Sequence, residues 1–140
     1  MRTILVGQGP FGEKTLEALI QKGAEIVAVF CPNDKRGEAM KTVAEKSGLA
    51  LFQPNHMKDE AVRQAFLKLK PDLVILAFVT DIIPDSLLEI PSSGTICYHP
   101  SLLPKHRGAS GICCSDAIPL TSISPSVPAR WRPPGRLPPR

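Results

Sequence analysis

Ile4-Leu5-Val6-Gly7-Gln8-Gly9-Pro10-Phe11-Gly12 sets the architecture of this chain. Three consecutive aliphatic residues read as a short buried strand. The glycines at 7, 9 and 12 read as a tight turn that opens into a helix. Apolar residues then recur at helical spacing, at Leu16, Leu19 and Ile20, until Gly23 stops the run. Strand, glycine turn and helix in that order make the first unit of an α/β sheet.

Outward from that unit the alternation continues. Glu25 to Phe30 reads as a second strand, closed by Pro32-Asn33-Asp34. Residues 37–47 suit a helix with Ala39, Met40, Val43 and Ala44 on its apolar side and Gly48 after its end. Leu49 to Phe52 suits a short strand. Asp59 to Lys70 places Val62, Phe66 and Leu69 on one helical face, and Pro71-Asp72 breaks it. Leu73 to Phe78 has no polar residue, the pattern of a strand covered on both faces in a parallel sheet. Asp85 to Ile90 allows a helical turn before Pro91, and Thr95 to Tyr98 is the last clear strand. The order predicts an open, mostly parallel, Rossmann-like α/β sheet with helices on both faces. No internal repeat interrupts it.

At 140 residues the chain makes one domain with a core of ordinary size, and its hydrophobic content of 43% is that of a globular protein. The net charge of +4 is unevenly placed. Residues 1–110 carry 13 Lys and Arg against 12 Asp and Glu, whereas residues 111–140 carry four Arg and one Asp. The basicity therefore belongs to the C-terminal stretch and predicts no DNA-binding face on the folded part. The longest apolar run, Leu73 to Val79, falls far short of the ~20 residues that span a bilayer, so no membrane partner is expected. The first residues lack the apolar run and cleavage site of a signal peptide. Cys31, Cys97, Cys113 and Cys114 lack zinc-ribbon or CxxC spacing. A reduced, cytoplasmic setting is the expectation.

The periodicity stops near Ser110. Residues 111–140 hold seven prolines, no Lys and no Glu, and run through a Ser/Pro stretch into Arg-Trp-Arg-Pro-Pro-Gly-Arg. Such a composition does not offset its ordering entropy by burial, so this Pro/Arg/Ser-rich tail is expected to be disordered, with no role for Cys113, Cys114 or Trp131.

Three features bear on chemistry. Gly7-x-Gly9-x-x-Gly12 follows a strand and opens a helix, the context of a dinucleotide fingerprint, in which backbone amides and a helix N-terminus face a pyrophosphate. The acid expected about 20 positions on is Asp34, which lies in a turn beyond the strand, and Pro10 removes one amide. A tight glycine turn in a sheet that binds no dinucleotide fits the same residues. His99 stands where the last strand ends, the edge at which open α/β sheets bind ligands, with an imidazole close to titrating at neutral pH. Pro100 and Pro104 stiffen the loop after it. From the residues alone, His99 is either held by backbone hydrogen bonds or presented to a ligand. Lys105-His106-Arg107 suits an anionic ligand tail or a phosphate backbone, but for each residue taken singly a solvated basic loop is the preferred reading. His99 and His106 lie seven apart across a proline-containing loop, and no metal site is expected.

The segment Gly94-Thr-Ile-Cys-Tyr-His-Pro-Ser-Leu-Leu-Pro-Lys-His-Arg-Gly-Ala-Ser110 resembles the signature of the folate-dependent formyltransferase N-terminal domain. It is most similar to the form found in the hydrolase domain of 10-formyltetrahydrofolate dehydrogenase, and Ile-Leu-Val-Gly-Gln-Gly-x-Phe-Gly suits that branch too. The resemblance covers residues 1–110. It implies that a formyl group leaves N10 of 10-formyltetrahydrofolate for an amine or for water, with no metal. By this resemblance His99 stabilises the oxyanion or supplies a proton. Phe78, Val79, Thr80, Asp81 and Ile82, with Ser101, Leu102, Leu103, Arg107 and Gly108, would line the folate site. The glycine turn of Gly7, Gly9 and Gly12 would then serve the fold without NAD. The implied partners are a reduced folate and an acceptor: water, a small amine or Met-tRNA.

Two departures follow. Many of these transferases carry Asn two residues before the histidine, where this chain has Cys97, a poor hydrogen-bond donor; the dehydrogenase branch also lacks the Asn there. The family also places a catalytic aspartate in a downstream segment. Here the one acid after Glu89 is Asp116, 17 residues past His99 and outside the expected context. The expectation is a partial formyltransferase domain over 1–110, with 111–140 disordered or read out of frame, and little or no activity in the chain. A non-catalytic folate-binding fragment and an NAD(P)-type dinucleotide-binding domain are the alternatives.

Overall fold

The computed structural model describes residues 1–98 and a three-residue strand at 123–125. In chain order the elements are β1 (Thr3–Gly7), α1 (Gly9–Gln21), β2 (Ile26–Phe30), α2 (Glu38–Lys46), β3 (Leu51–Phe52), α3 (Glu60–Leu69), β4 (Leu73–Ala77), α4 (Asp85–Leu88), β5 (Thr95–Tyr98) and β6 (Ile123–Pro125). The sheet runs β3-β2-β1-β4-β5-β6. Its first five strands pair in parallel and β6 pairs antiparallel to β5. The chain starts at β1, winds outward to β3, then returns to the other side of β1 as β4. This reversal opens a crevice at the carboxyl ends of the strands.

Period-two alternation splits the apolar strand residues between two cores. Ile4, Val6, Ala28, Phe30, Val74 and Leu76 face Met57, Val62, Phe66 and Leu87 on the α3 and α4 side. Leu5, Val29, Cys31 and Ala77 face Leu16, Met40 and Ala44 of α1 and α2. Ile4 and Leu5, neighbours on β1, are both wholly inaccessible on opposite faces. At roughly 1.5–3 kcal/mol for each such side chain, neither face of β1 accepts a charge.

Two glycines of the opening stretch are there for close approach. A Cβ on Gly7 would lie 2.7 Å from the Ala77 carbonyl oxygen of β4, and one on Gly12 would lie 2.5 Å from Met40 Sδ of α2. Gly9 has open space around it but a φ of +64°, a backbone state that costs side-chain-bearing residues about 1–2 kcal/mol.

The sequence reading matches these elements to within one or two residues, with two differences. The strand expected to reach Phe78 ends at Ala77, because Phe78 takes a left-handed φ of +59° and turns the chain out of the sheet. The Pro/Ser-rich stretch, which carries no strand period, contributes β6, with Tyr98 opposite Ile123 and Ile96 opposite Pro125. An open parallel edge offers unpaired backbone groups to any extended segment, and proline is tolerated in an edge strand. The rest of residues 99–140 lies outside the described residues.

Candidate functional site

The carboxyl ends of β1, β2 and β4, with the loop after β3, enclose a cavity of about 280 Å³. Its apolar lining is Val6, Phe30 and Met57, all members of the α3-side core, with Val79 beside them. Its polar lining is Gln8, Arg36, Asn55, His56, Thr80 and Asp81. Cys31 also lines it; burial pushes this thiol's pKa up, so it stands as a neutral thiol rather than a nucleophile.

The loop after β4 is tied down from two sides. Asp81 Oδ2 accepts the Met57 backbone N–H at 2.7 Å, and its Oδ1 accepts the Ile82 N–H at 2.9 Å. Thr80 Oγ1 accepts from Gln8 Nε2 at 3.1 Å and from Arg36 Nη1 at 3.3 Å. Arg36 is itself gripped by Asp34, at 2.7 Å between Nη2 and Oδ2, and the guanidinium holds the Asp34 carboxyl below the usual carboxylate range.

The start of α1 is closed rather than open to a pyrophosphate. The Gly9 N–H donates to the Arg36 carbonyl at 2.7 Å, Pro10 has no N–H, and the Gly12 N–H donates to the Gln8 carbonyl at 3.2 Å. Asp34, the acid a dinucleotide ribose would need, is bound to Arg36. The glycine turn thus serves packing and turning, and the geometry disfavours the dinucleotide alternative. On the far side of the switch point, Tyr98 at the end of β5 stacks on Phe11 of α1, with centroids 4.1 Å apart and planes at 17°. That stack anchors the residue immediately before His99.

Of the expected site residues, Gly7, Val79, Thr80 and Asp81 meet at the cavity. Phe78 is half-buried at the left-handed turn, and Ile82 is 84% exposed and outside the cavity lining. Gly9 and Gly12 shape the turn beside it. His99, Ser101, Leu102, Leu103, Arg107 and Gly108 lie outside the described residues. The sequence reading missed Gln8, Arg36, His56 and Met57. One signal was available for Gln8, a long polar side chain at a helix N-cap, where short Ser, Thr, Asp or Asn is favoured.

Comparison with known proteins decides the family. The family model described as Formyl transferase matches residues 1–115. The chain belongs to the formyl transferase family. The methionyl-tRNA formyltransferase of Alkaliphilus oremlandii is 41% identical over 120 residues, covering 80% of this chain and 39% of that protein. The mitochondrial 10-formyltetrahydrofolate dehydrogenase of Mus musculus is 37% identical over 119 residues, covering 80% of this chain and 13% of that protein. The chain therefore spans well under half the length of these two relatives. The phosphoribosylglycinamide formyltransferase structure from Streptococcus pneumoniae superposes with a TM-score of 0.59 at 21% identity, covering 79% of this chain and 63% of the other. That from Bacillus halodurans superposes with a TM-score of 0.63 at 16% identity, covering 79% and 62%. These two likenesses establish the shared fold. Among the described residues no helix is long and apolar enough to cross a membrane.

Proposed function

We propose that this chain carries the folate-facing part of a formyl-transfer site, with 10-formyltetrahydrofolate as the one-carbon donor and a reduced folate as its ligand in a cytoplasmic setting. The observation that carries the reading is the family match over residues 1–115, which takes in both the loop after β4 and the signature at 94–110. The cavity volume supports a partial site. At about 280 Å³ it falls just under the ~300–1,000 Å³ of complete small-molecule pockets, room for one ring system rather than a whole folate. Val79, Thr80 and Asp81 line the ring on this reading, with Phe78 turning the loop towards it, and Ser101, Leu102, Leu103, Arg107 and Gly108 complete the wall.

Attack of an amine or water on the formyl carbon turns its carbonyl oxygen into an oxyanion. His99, one residue beyond the Phe11–Tyr98 stack, is the group assigned to hold that charge or to supply a proton. Either role contributes roughly 10²–10⁴-fold. Proton removal from the attacking group has no such candidate, since Asp116 is the one acid after Glu89. On this reading the chain's own residues supply the folate wall and the partner of the oxyanion. The acceptor, when a complete site is present, is water, a small amine or Met-tRNA.

Calorimetric titration of the chain with tetrahydrofolate and separately with NADH tests the reading. Heat of binding with tetrahydrofolate and none with NADH is expected, with residual deformylation of 10-formyltetrahydrofolate abolished by His99→Ala. Tight NADH binding without folate binding overturns it, and an unchanged residual rate in His99→Ala removes that residue from the chemistry.

A further inference from the structure

Gln8 is an unusual residue for its place. It occupies the N-cap of α1 in an extended conformation, yet its side chain makes no capping hydrogen bond. Only 4% of it is exposed, so its amide is a buried polar group that needs a partner. The partner is the Thr80 hydroxyl, 72 residues along the chain: Gln8 Nε2 donates to Oγ1 at 3.1 Å, and the hydroxyl lies 3.4 Å from Gln8 Oε1, to which it donates. Arg36 Nη1 also donates to that oxygen, at 3.3 Å. A hydroxyl has one proton and two lone pairs, so these three contacts use its full capacity.

The loop that Thr80 belongs to is held against its local preference. Phe78 sits at a φ of +59°, where a bulky side chain is a genuine outlier. Such a residue persists only where its surroundings over-determine it. The surroundings are visible: the Gln8 N–H on the Ala77 carbonyl at 3.3 Å, the Gln8 side chain on Thr80, and Asp81 on the Met57 N–H. Two of these three ties come from Gln8, which is itself fixed by the end of buried β1.

We propose that Gln8 is a positioning residue. It gives up capping α1 in order to hold the 78–82 loop in the shape that receives the folate ring, acting through the Thr80 hydroxyl. The assignment rests on the folate reading for its ligand but not for its mechanics, which belong to the unliganded chain.

The test combines tetrahydrofolate affinity by calorimetry with amide hydrogen exchange of residues 78–83 in the chain without ligand. Gln8→Leu and Thr80→Val should each weaken tetrahydrofolate about tenfold and speed exchange in that segment, while Thr80→Ser, which keeps the hydroxyl, stays within about twofold of the parent. The double variant Gln8→Leu/Thr80→Val removes both ends of the buried Gln8–Thr80 bond and leaves only exposed Arg36, which keeps Asp34 and water, so its melting temperature should return toward the parent value. A purely structural role predicts that affinity returns with it; a positioning role predicts that affinity stays about tenfold weak. Parent-like affinity or parent-like exchange in Gln8→Leu overturns the proposal, as does recovery of affinity in the double variant. A parent chain that binds no tetrahydrofolate removes the ligand from both readings. The exchange arm distinguishes that failure from a loop that Gln8 does not hold.

Discussion

Alanine at position 7 has to push apart the two central strands at the end where the cavity opens. Its Cβ would stand 2.7 Å from the Ala77 carbonyl oxygen and 3.2 Å from both Ala77 Cβ and Met40 Sδ. Met40 is a flexible thioether and can move. Ala77 cannot move cheaply, because its carbonyl belongs to β4 and accepts the Gln8 N–H at 3.3 Å. Over-packing of this kind costs about 1–3 kcal/mol. Gly7 is not among the positive-φ glycines, so alanine also gains about 0.4–1 kcal/mol by restricting the unfolded chain. The difference is a net loss of about 1–2 kcal/mol, or roughly 4–16 °C in melting temperature for a domain of 60–100 residues. Thermal unfolding followed by circular dichroism of Gly7→Ala measures it. Gly9→Ala is the companion, destabilised by its φ of +64° with nothing near its Cβ. Gly12→Ala meets the flexible end of Met40 at 2.5 Å and backbone only at the Gly7 carbonyl carbon, 3.3 Å away, and should lose less than Gly7→Ala does. A Gly7→Ala chain melting at or above the parent temperature refutes the claim that β1 and β4 touch too closely for a methyl group.

Two more outcomes follow from the local geometry. Exposed Lys70 closes α3 in the left-handed region, with φ 45° and ψ 64°, a position that favours glycine. Lys70→Gly should raise the urea midpoint by an amount equivalent to about 0.5–1 kcal/mol at unchanged slope, and an unchanged or lower midpoint contradicts this. Asp72 accepts the Arg2 backbone N–H at 2.8 Å and the Ser92 hydroxyl at 3.1 Å, and these bonds hold its carboxyl below the ordinary carboxylate range. A lowered folded-state pKa means that the ionised group stabilises the fold above about pH 4, and that this contribution disappears as pH falls through the folded value. Asp72→Asn should therefore be less stable at neutral pH and lose stability less steeply between about pH 5 and about pH 2; a parent-like acid limb counts against this role.

Most of the fold is legible in the sequence because its signals are local and repeated. Ile4-Leu5-Val6 and Leu73 to Ala77 are apolar at every position, which is what a strand buried on both faces requires. Val62, Phe66 and Leu69 mark the buried face of α3 by spacing alone. Phe78 escaped that logic. Nothing in its side chain announces a left-handed backbone, and an apolar residue after an apolar run reads as more strand. β6 escaped it too, since its pairing answers an open edge at β5 and not a period of its own.

The order of strands and helices, the two-faced burial of the central strands and, through residues 94–110, the family resemblance can all be read from the amino acids alone. These are encoded within single elements or a contiguous motif. The surroundings of the cavity emerge from the folded sheet. Gln8, Arg36 and Thr80 are separated by as many as 72 residues and meet because β4 returns to lie beside β1. The pairing of β2 on the other side of β1 sets the Arg36 carbonyl on the Gly9 amide and turns an apparent dinucleotide fingerprint into a closed packing turn. The physical reason is that strand adjacency follows from burying both faces of the whole sheet at once. No window of sequence around Gln8 carries that information.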